Sequence, residues 1–192
     1  MNPESVYASH LEGGKASDIG QHLPTLRRYA QGAVFEIGVR DGIATAALLL
    51  GVKDKGGHVW SIDVADERGG MYRGDPDWTF LKAHSVTDFA RVLSSLPEVL
   101  DLLYIDSGHS YVTTLDELRL YGKLLRKDTG LALLHETDLQ GVRQAMYAYR
   151  EETGCGLSFI EGSHGLGIVA FGNRGIHDLD DTKDRPRADT TV

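Results

Sequence analysis

Five residues, Glu36, Gly38, Gly42, Thr45 and Asp63, carry the first chemical signal in the chain. The run Val34-Phe35-Glu36-Ile37 is apolar and ends beside an acid, and a Gly-x-x-x-Gly turn and an alanine- and leucine-rich segment follow. Strand, tight glycine turn and helix start is the order by which an open α/β sheet makes a nucleotide-sized site at the carboxyl end of a strand. The glycines permit close approach of a ligand and backbone angles that a side chain would obstruct. An acid at Glu36 would repel a pyrophosphate and suit a ligand with a cationic centre. A second apolar run, Val59-Trp60-Ser61-Ile62, ends in another acid, Asp63. A carboxylate there can accept hydrogen bonds from a pair of hydroxyls.

A second constellation follows strands four and five. Asp101-Leu102-Leu103-Tyr104-Ile105 delivers Asp106 to the same sheet edge, Gly108 turns the chain, and His109 follows. Leu131 to Leu134 then delivers His135, Glu136 and Asp138. Carboxylates and imidazoles converging on one rim suit either an acid–base step or a divalent cation. Histidine titrates near neutrality, which makes His109 and His135 candidate bases.

The elements that must position these groups follow from periodicity and turn chemistry. Strands are expected at 33–37, 58–62, within 78–85, at 101–105 and at 131–134. Helices are expected from Ser17 or Asp18 through Tyr29, and at 43–51, 87–96, 114–125 and 142–153. Leu157–Ile160 and Gly167–Phe171 read as two strands joined by Glu161-Gly162-Ser163-His164-Gly165. So short a link cannot make a parallel crossover, so the pair must be an antiparallel hairpin. The fold class is therefore α/β: a Rossmann-like, doubly wound, mostly parallel seven-stranded sheet with a C-terminal antiparallel hairpin. Residues 1–16 read as a loose arm, 17–173 as one domain, 65–78 as a loop over the rim, and 174–192 as a disordered acidic tail.

Composition narrows the function classes. A chain of 192 residues with 41% hydrophobic and 25% charged residues suits one soluble domain. Its net charge of −8, with no long basic run, argues against nucleic-acid backbones and anionic membranes as partners. No apolar run approaches the roughly 20 residues of a membrane span. The N-terminal residues do not read as a signal peptide. The single cysteine, Cys155, excludes an intramolecular disulfide and fits a reducing cytoplasm.

The spacing Glu36-x-Gly38-x-x-x-Gly42-x-x-Thr45, with Asp63 on the next strand, resembles motif I of the class I S-adenosylmethionine-dependent methyltransferases. Asp106-x-Gly108-His109-x-Tyr111, then His135-Glu136-Thr137-Asp138, resembles the small-molecule O-methyltransferase group that includes cephalosporin-hydroxylase-type and macrolide sugar enzymes. This likeness spans residues 17–172. It implies S-adenosyl-L-methionine as cofactor, held by Glu36, Gly38, Gly42, Thr45, Asp63, His84, Ser85 and Asp106. It implies catalysis by His109, Asp106 and His135 on a hydroxyl of a small molecule, a sugar or natural product. Some members of the group hold Mg²⁺, and by position the ligands would be Asp106, His135 and Glu136. Here the last pair is His-Glu, and imidazole suits Mn²⁺ better than Mg²⁺. A homo-oligomer is expected, because no insertion is long enough to form a lid domain. The alternatives are a non-catalytic binding module that keeps the fold, and an NAD-type nucleotide enzyme. The latter would want a third glycine at this turn.

Overall fold

The computed structural model describes residues 1–11 and 18–172. The expected tail, 174–192, lies outside them. Helices α1 (Pro3–Leu11) and α2 (Leu23–Tyr29) lead into β1 (Gly32–Ile37), α3 (Ile43–Lys55), β2 (Gly57–Asp63) and β3 (Trp78–Lys82). Then come α4 (Phe89–Ser95), β4 (Leu102–Ile105), α5 (Tyr111–Tyr121), β5 (Leu131–His135), α6 (Gln140–Thr153), β6 (Gly156–Ile160) and β7 (Leu166–Ala170).

The seven strands form one sheet in the order β3-β2-β1-β4-β5-β7-β6. The first five run parallel. β7 inserts antiparallel between β5 and β6, with Leu134 opposite Gly167 and Phe159 opposite Gly167 on its other side. The expected hairpin is therefore present, and its second strand, not its first, abuts the parallel sheet.

Alternation along β1 divides the core into two layers. Val34 belongs to the layer under α1, α2 and α3, while Phe35 and Ile37 belong to the layer under α4, α5 and α6. Helix α3 is buried along the whole run Ala44–Val52. It lies between the sheet and the pair α1 and α2, which is why it is apolar all round rather than striped.

The N-terminal arm is not loose over residues 3–11. Asn2 Oδ1 accepts from the backbone N–H of Glu4 at 2.8 Å and of Ser5 at 3.3 Å, and Pro3 opens the helix with the φ it already prefers. Tyr7 then anchors α1 on the core. Across 65–78 the expected loop contains a short 3-10 turn, Asp66–Gly70. Met71 and Tyr72 from that loop press down on the glycine turn after β1. Among the described residues no helix is long and apolar enough to cross a membrane.

Candidate active site

The sheet order reverses between β1 and β4, which opens a crevice at the carboxyl ends of these strands. Gly38 leaves β1 there with φ +93°, and a Cβ on it would stand 2.0 Å from the carbonyl oxygen of Asp106. Only glycine allows the two strand ends to meet. A cavity of about 550 Å³ lies over this junction, within the size range of small-ligand sites. Ile37, Ile62 and Ala83 supply apolar wall, and Gly38, Asp63, His84, Ser85, Asp106 and His109 supply most of its polar lining. A smaller hollow of about 300 Å³ adjoins it and shares Gly38, Arg40 and Asp106.

Asp63 binds the glycine turn itself. Its Oδ2 accepts from the N–H groups of Val39 at 2.9 Å and Arg40 at 3.1 Å, and its Oδ1 from Ala65 at 2.9 Å. The acid that ends β2 therefore fixes the loop that ends β1, with its carboxylate at the cavity wall. His84 caps its own turn by accepting from Val86 N at 3.1 Å.

Glu36, Gly42 and Thr45, expected as cofactor contacts, are not among the residues that line the cavity. Strand β1 runs one residue beyond Glu36, so Ile37 takes the rim and Glu36 turns to the α3 side. There the Thr45 hydroxyl donates to its carboxyl at 2.9 Å and the Ser61 hydroxyl at 2.5 Å. Trp78 Nε1 donates to Ser61 Oγ at 2.8 Å, which commits the Ser61 proton to Glu36. Burial outweighs these bonds and pushes the Glu36 carboxyl up to about 8. Gly42, at φ +70°, opens α3 beneath the Tyr72 ring, where a Cβ would lie 3.0 Å from Cε2. Its role is to let the 65–78 loop close over the turn.

The acid–imidazole group forms one connected cluster. His109 Nε2 lies 3.1 Å from Asp106 Oδ1, and its Nδ1 lies 3.1 Å from Glu136 Oε2. The Tyr104 hydroxyl donates to Asp106 Oδ2 at 3.0 Å. Burial opposes the charge on Asp106, but bonds from His109, His135 and Tyr104 overcome it and hold this carboxyl well below the usual range. The bond to Asp106 raises the pKa of His109, burial partly offsets this, and Glu136 adds to the rise. His109 thus sits between two carboxylates, where a positive charge on its ring is favoured.

His135, expected as a base and a metal ligand, lies at the end of β5. It is 1% exposed. Its Nε2 faces the carbonyl oxygens of Asp18 at 3.1 Å and Ser163 at 3.0 Å, so that nitrogen must donate. Its Nδ1 faces Asp106 Oδ1 at 3.3 Å. Burial works against its charge, yet Asp106 and the two carbonyls raise its pKa overall. Its Nε2 is taken by two carbonyls and its Nδ1 is turned to Asp106, and His135 is not among the residues that line the cavity. His135 instead pins the 18–19 turn and the β6–β7 turn to the end of β5. Among the described residues no three His, Cys, Asp or Glu side chains are gathered to hold a metal ion. The donor set Asp106, His135 and Glu136 does not fit one in this arrangement.

Three groups at the site carried no signal strong enough to single them out in the sequence. Arg40 lines both hollows and pairs with Asp18 at 2.6 Å. Ser107 and Glu117 complete the cavity wall. For Glu117 a cue existed: with Thr114, Leu118 and Tyr121 it falls on the buried stripe of α5, and an acid there needs a reason. Arg40, His109 and Glu136 hold φ of +48°, +39° and +58°. Such angles cost a non-glycine residue roughly 1–2 kcal/mol. Their concentration at one rim is what a functional site looks like in the backbone.

A family profile described as a methyltransferase domain matches residues 35–137. No curated protein matches the chain. Several solved structures share its fold at low identity. The SAH-bound methyltransferase PaMTH1 of Podospora anserina superposes with a TM-score of 0.66 at 12% identity, over 90% of this chain and 88% of that one. An O-methyltransferase from Bacillus cereus, in complex with SAH, gives 0.63 at 17% identity over 88% and 90% of the two chains. CalS11, a TDP-rhamnose 3'-O-methyltransferase of calicheamicin biosynthesis, gives 0.63 at 13% identity over 90% and 93%.

Proposed function

Because the chain belongs to the methyltransferase family whose profile spans residues 35–137, we propose that it moves the methyl group of S-adenosyl-L-methionine onto a hydroxyl of a small molecule, a sugar or natural product. The observation that carries this reading is the cavity at the β1/β4 junction, with Gly38 and Asp63 in its lining and the Asp106–His109 pair in the same wall. The SAH-bound neighbours support the choice of donor, and the sugar O-methyltransferase among them supports the acceptor class.

In the proposed reaction the acceptor oxygen attacks the methyl carbon in line with the C–S bond. That bond breaks, its electron pair returns to sulfur, and the sulfonium becomes a thioether. For the hydroxyl proton to pass to His109, the imidazole must be neutral and the acceptor must take the place of Asp106 or Glu136 at one ring nitrogen; the two carboxylates then stabilise the imidazolium that results. The sulfonium supplies the driving force, so the protein's main task is alignment. Holding two reactants in line is worth roughly 7–11 kcal/mol in favourable cases. The proposed step is written without a metal, because His135, one of the three expected ligands, is turned to the Asp18 and Ser163 carbonyls.

Incubation of the protein with methyl-labelled donor and a panel of hydroxylated sugars and phenols tests the proposal. Label should enter at least one acceptor and none of the matching deoxy compounds. Binding of SAH with no transfer to any acceptor would favour a binding module. Binding of NAD(H) in place of SAH would favour a nucleotide enzyme of another class.

A further inference from the structure

One wall of the cavity is built by Ser85 after β3, Ser107 after β4 and Glu117 of α5. Glu117 is 0% exposed. The Ser85 hydroxyl donates to its Oε1 at 2.6 Å, and the Ser107 hydroxyl lies 2.7 Å from each of its oxygens. A carboxylate can only accept. Both serine protons are therefore drawn toward Glu117 and away from the cavity. With its proton so committed, each serine oxygen is left with lone pairs as what it can offer a ligand in the cavity that both residues line. Burial pushes the Glu117 carboxyl above its ordinary range, with the two hydroxyls opposing. Even with a proton held there, at least one hydroxyl stays committed inward.

The same cavity has apolar wall from Ile37, Ile62 and Ala83. Apolar wall suits the faces of a flat ring, and a fixed pair of acceptors suits an edge that donates. The exocyclic amine of adenine is such an edge. A 6-oxo purine carries an acceptor at that position, and two acceptors facing it would leave buried polar groups unpaired, which is how a site rejects an analogue. We propose that Glu117 is a positioning residue that fixes Ser85 and Ser107 as acceptors, so that the cavity selects a purine with an exocyclic amine over 6-oxo purines. The inference rests on the reading of S-adenosylmethionine as donor and adds the means by which its base is chosen.

The test is calorimetric titration of the full chain with SAH and with its deaminated analogue, S-inosylhomocysteine. Wild type should prefer SAH by about 10- to 100-fold, the range expected for one unpaired buried group. In Glu117→Gln the amide can donate to one serine and release that hydroxyl proton toward the cavity. The preference should then fall by about tenfold, chiefly through tighter inosyl binding. Ser85→Ala should lower it through weaker SAH binding, and keeps the test alive should Glu117→Gln fail to fold. A purely structural role would weaken both ligands alike and leave the ratio unchanged. SAH binding with the same ratio in both variants would overturn the proposal alone. Wild type that binds neither ligand would overturn it together with the donor reading.

Discussion

At the scale of the residue, His109 and Glu36 are two ionisable groups with opposite tasks. His109 lines the cavity between Asp106 and Glu136, so its replacement should be felt in turnover. His109→Ala is expected to lower kcat by about 10²-fold, the low end for a positioned base, with SAH affinity within a few-fold of wild type. Equal turnover in the variant and the wild type would remove it from the chemistry. Glu36 is buried against Thr45 and Ser61 and acts through stability. Its pKa is about 8 in the fold against an ordinary 4.5. The folded chain therefore holds a proton that the unfolded chain has lost. The stabilising contribution is complete below about pH 4.5 and is lost as pH rises through about 8, with a slope of at most about 1.4 kcal/mol per pH unit between them. Glu36→Gln mimics the protonated form and should flatten denaturation midpoints across that window. An unchanged slope would mean that Glu36 is ionised in the fold. His135 leads to a third expectation. Since its Nε2 is taken by two carbonyls and its Nδ1 faces Asp106, chelation with EDTA should leave methyl transfer intact. Loss of activity restored by Mn²⁺ or Mg²⁺ would show that Asp106, His135 and Glu136 rearrange around an ion.

At the scale of the element, the junction of β1 and β4 carries the site. Gly38→Ala places a Cβ against the Asp106 carbonyl and demands a left-handed alanine. It should cost about 2 kcal/mol or more in stability and abolish SAH binding. A variant with wild-type Tm and affinity would mean that the junction is not as tight as described. Much of this architecture is legible in the sequence, because strands between glycine turns and helices with apolar stripes announce themselves. The hairpin of β6 and β7 follows from a five-residue link alone. What escapes is direction and docking. The strand to Ile37 is legible in the sequence, but not that Glu36 turns toward α3, which only its meeting with Thr45 and Ser61 shows. Helix α1 is hard to see because it offers the core little beyond Tyr7, although Asn2-Pro3 is a helix start in plain view. His135 reads as a rim group, and only the three-dimensional approach of the Asp18 and Ser163 carbonyls consumes its second nitrogen.

At the scale of the whole molecule, two half-sites come together only on folding. The glycine turn and Asp63 belong to the first half of the sheet, and the Asp106–His109–Glu136 cluster to the second. Calorimetric titration with S-adenosylhomocysteine shows whether they meet at one working cavity. One site of micromolar affinity, unchanged by removal of divalent ions, is expected. Asp63→Asn is also expected to weaken binding by about tenfold, because one acceptor of the ligand and of the glycine turn is lost. No binding to folded wild-type protein under any condition would contradict the account, and would leave the chain with the family's fold but without its donor.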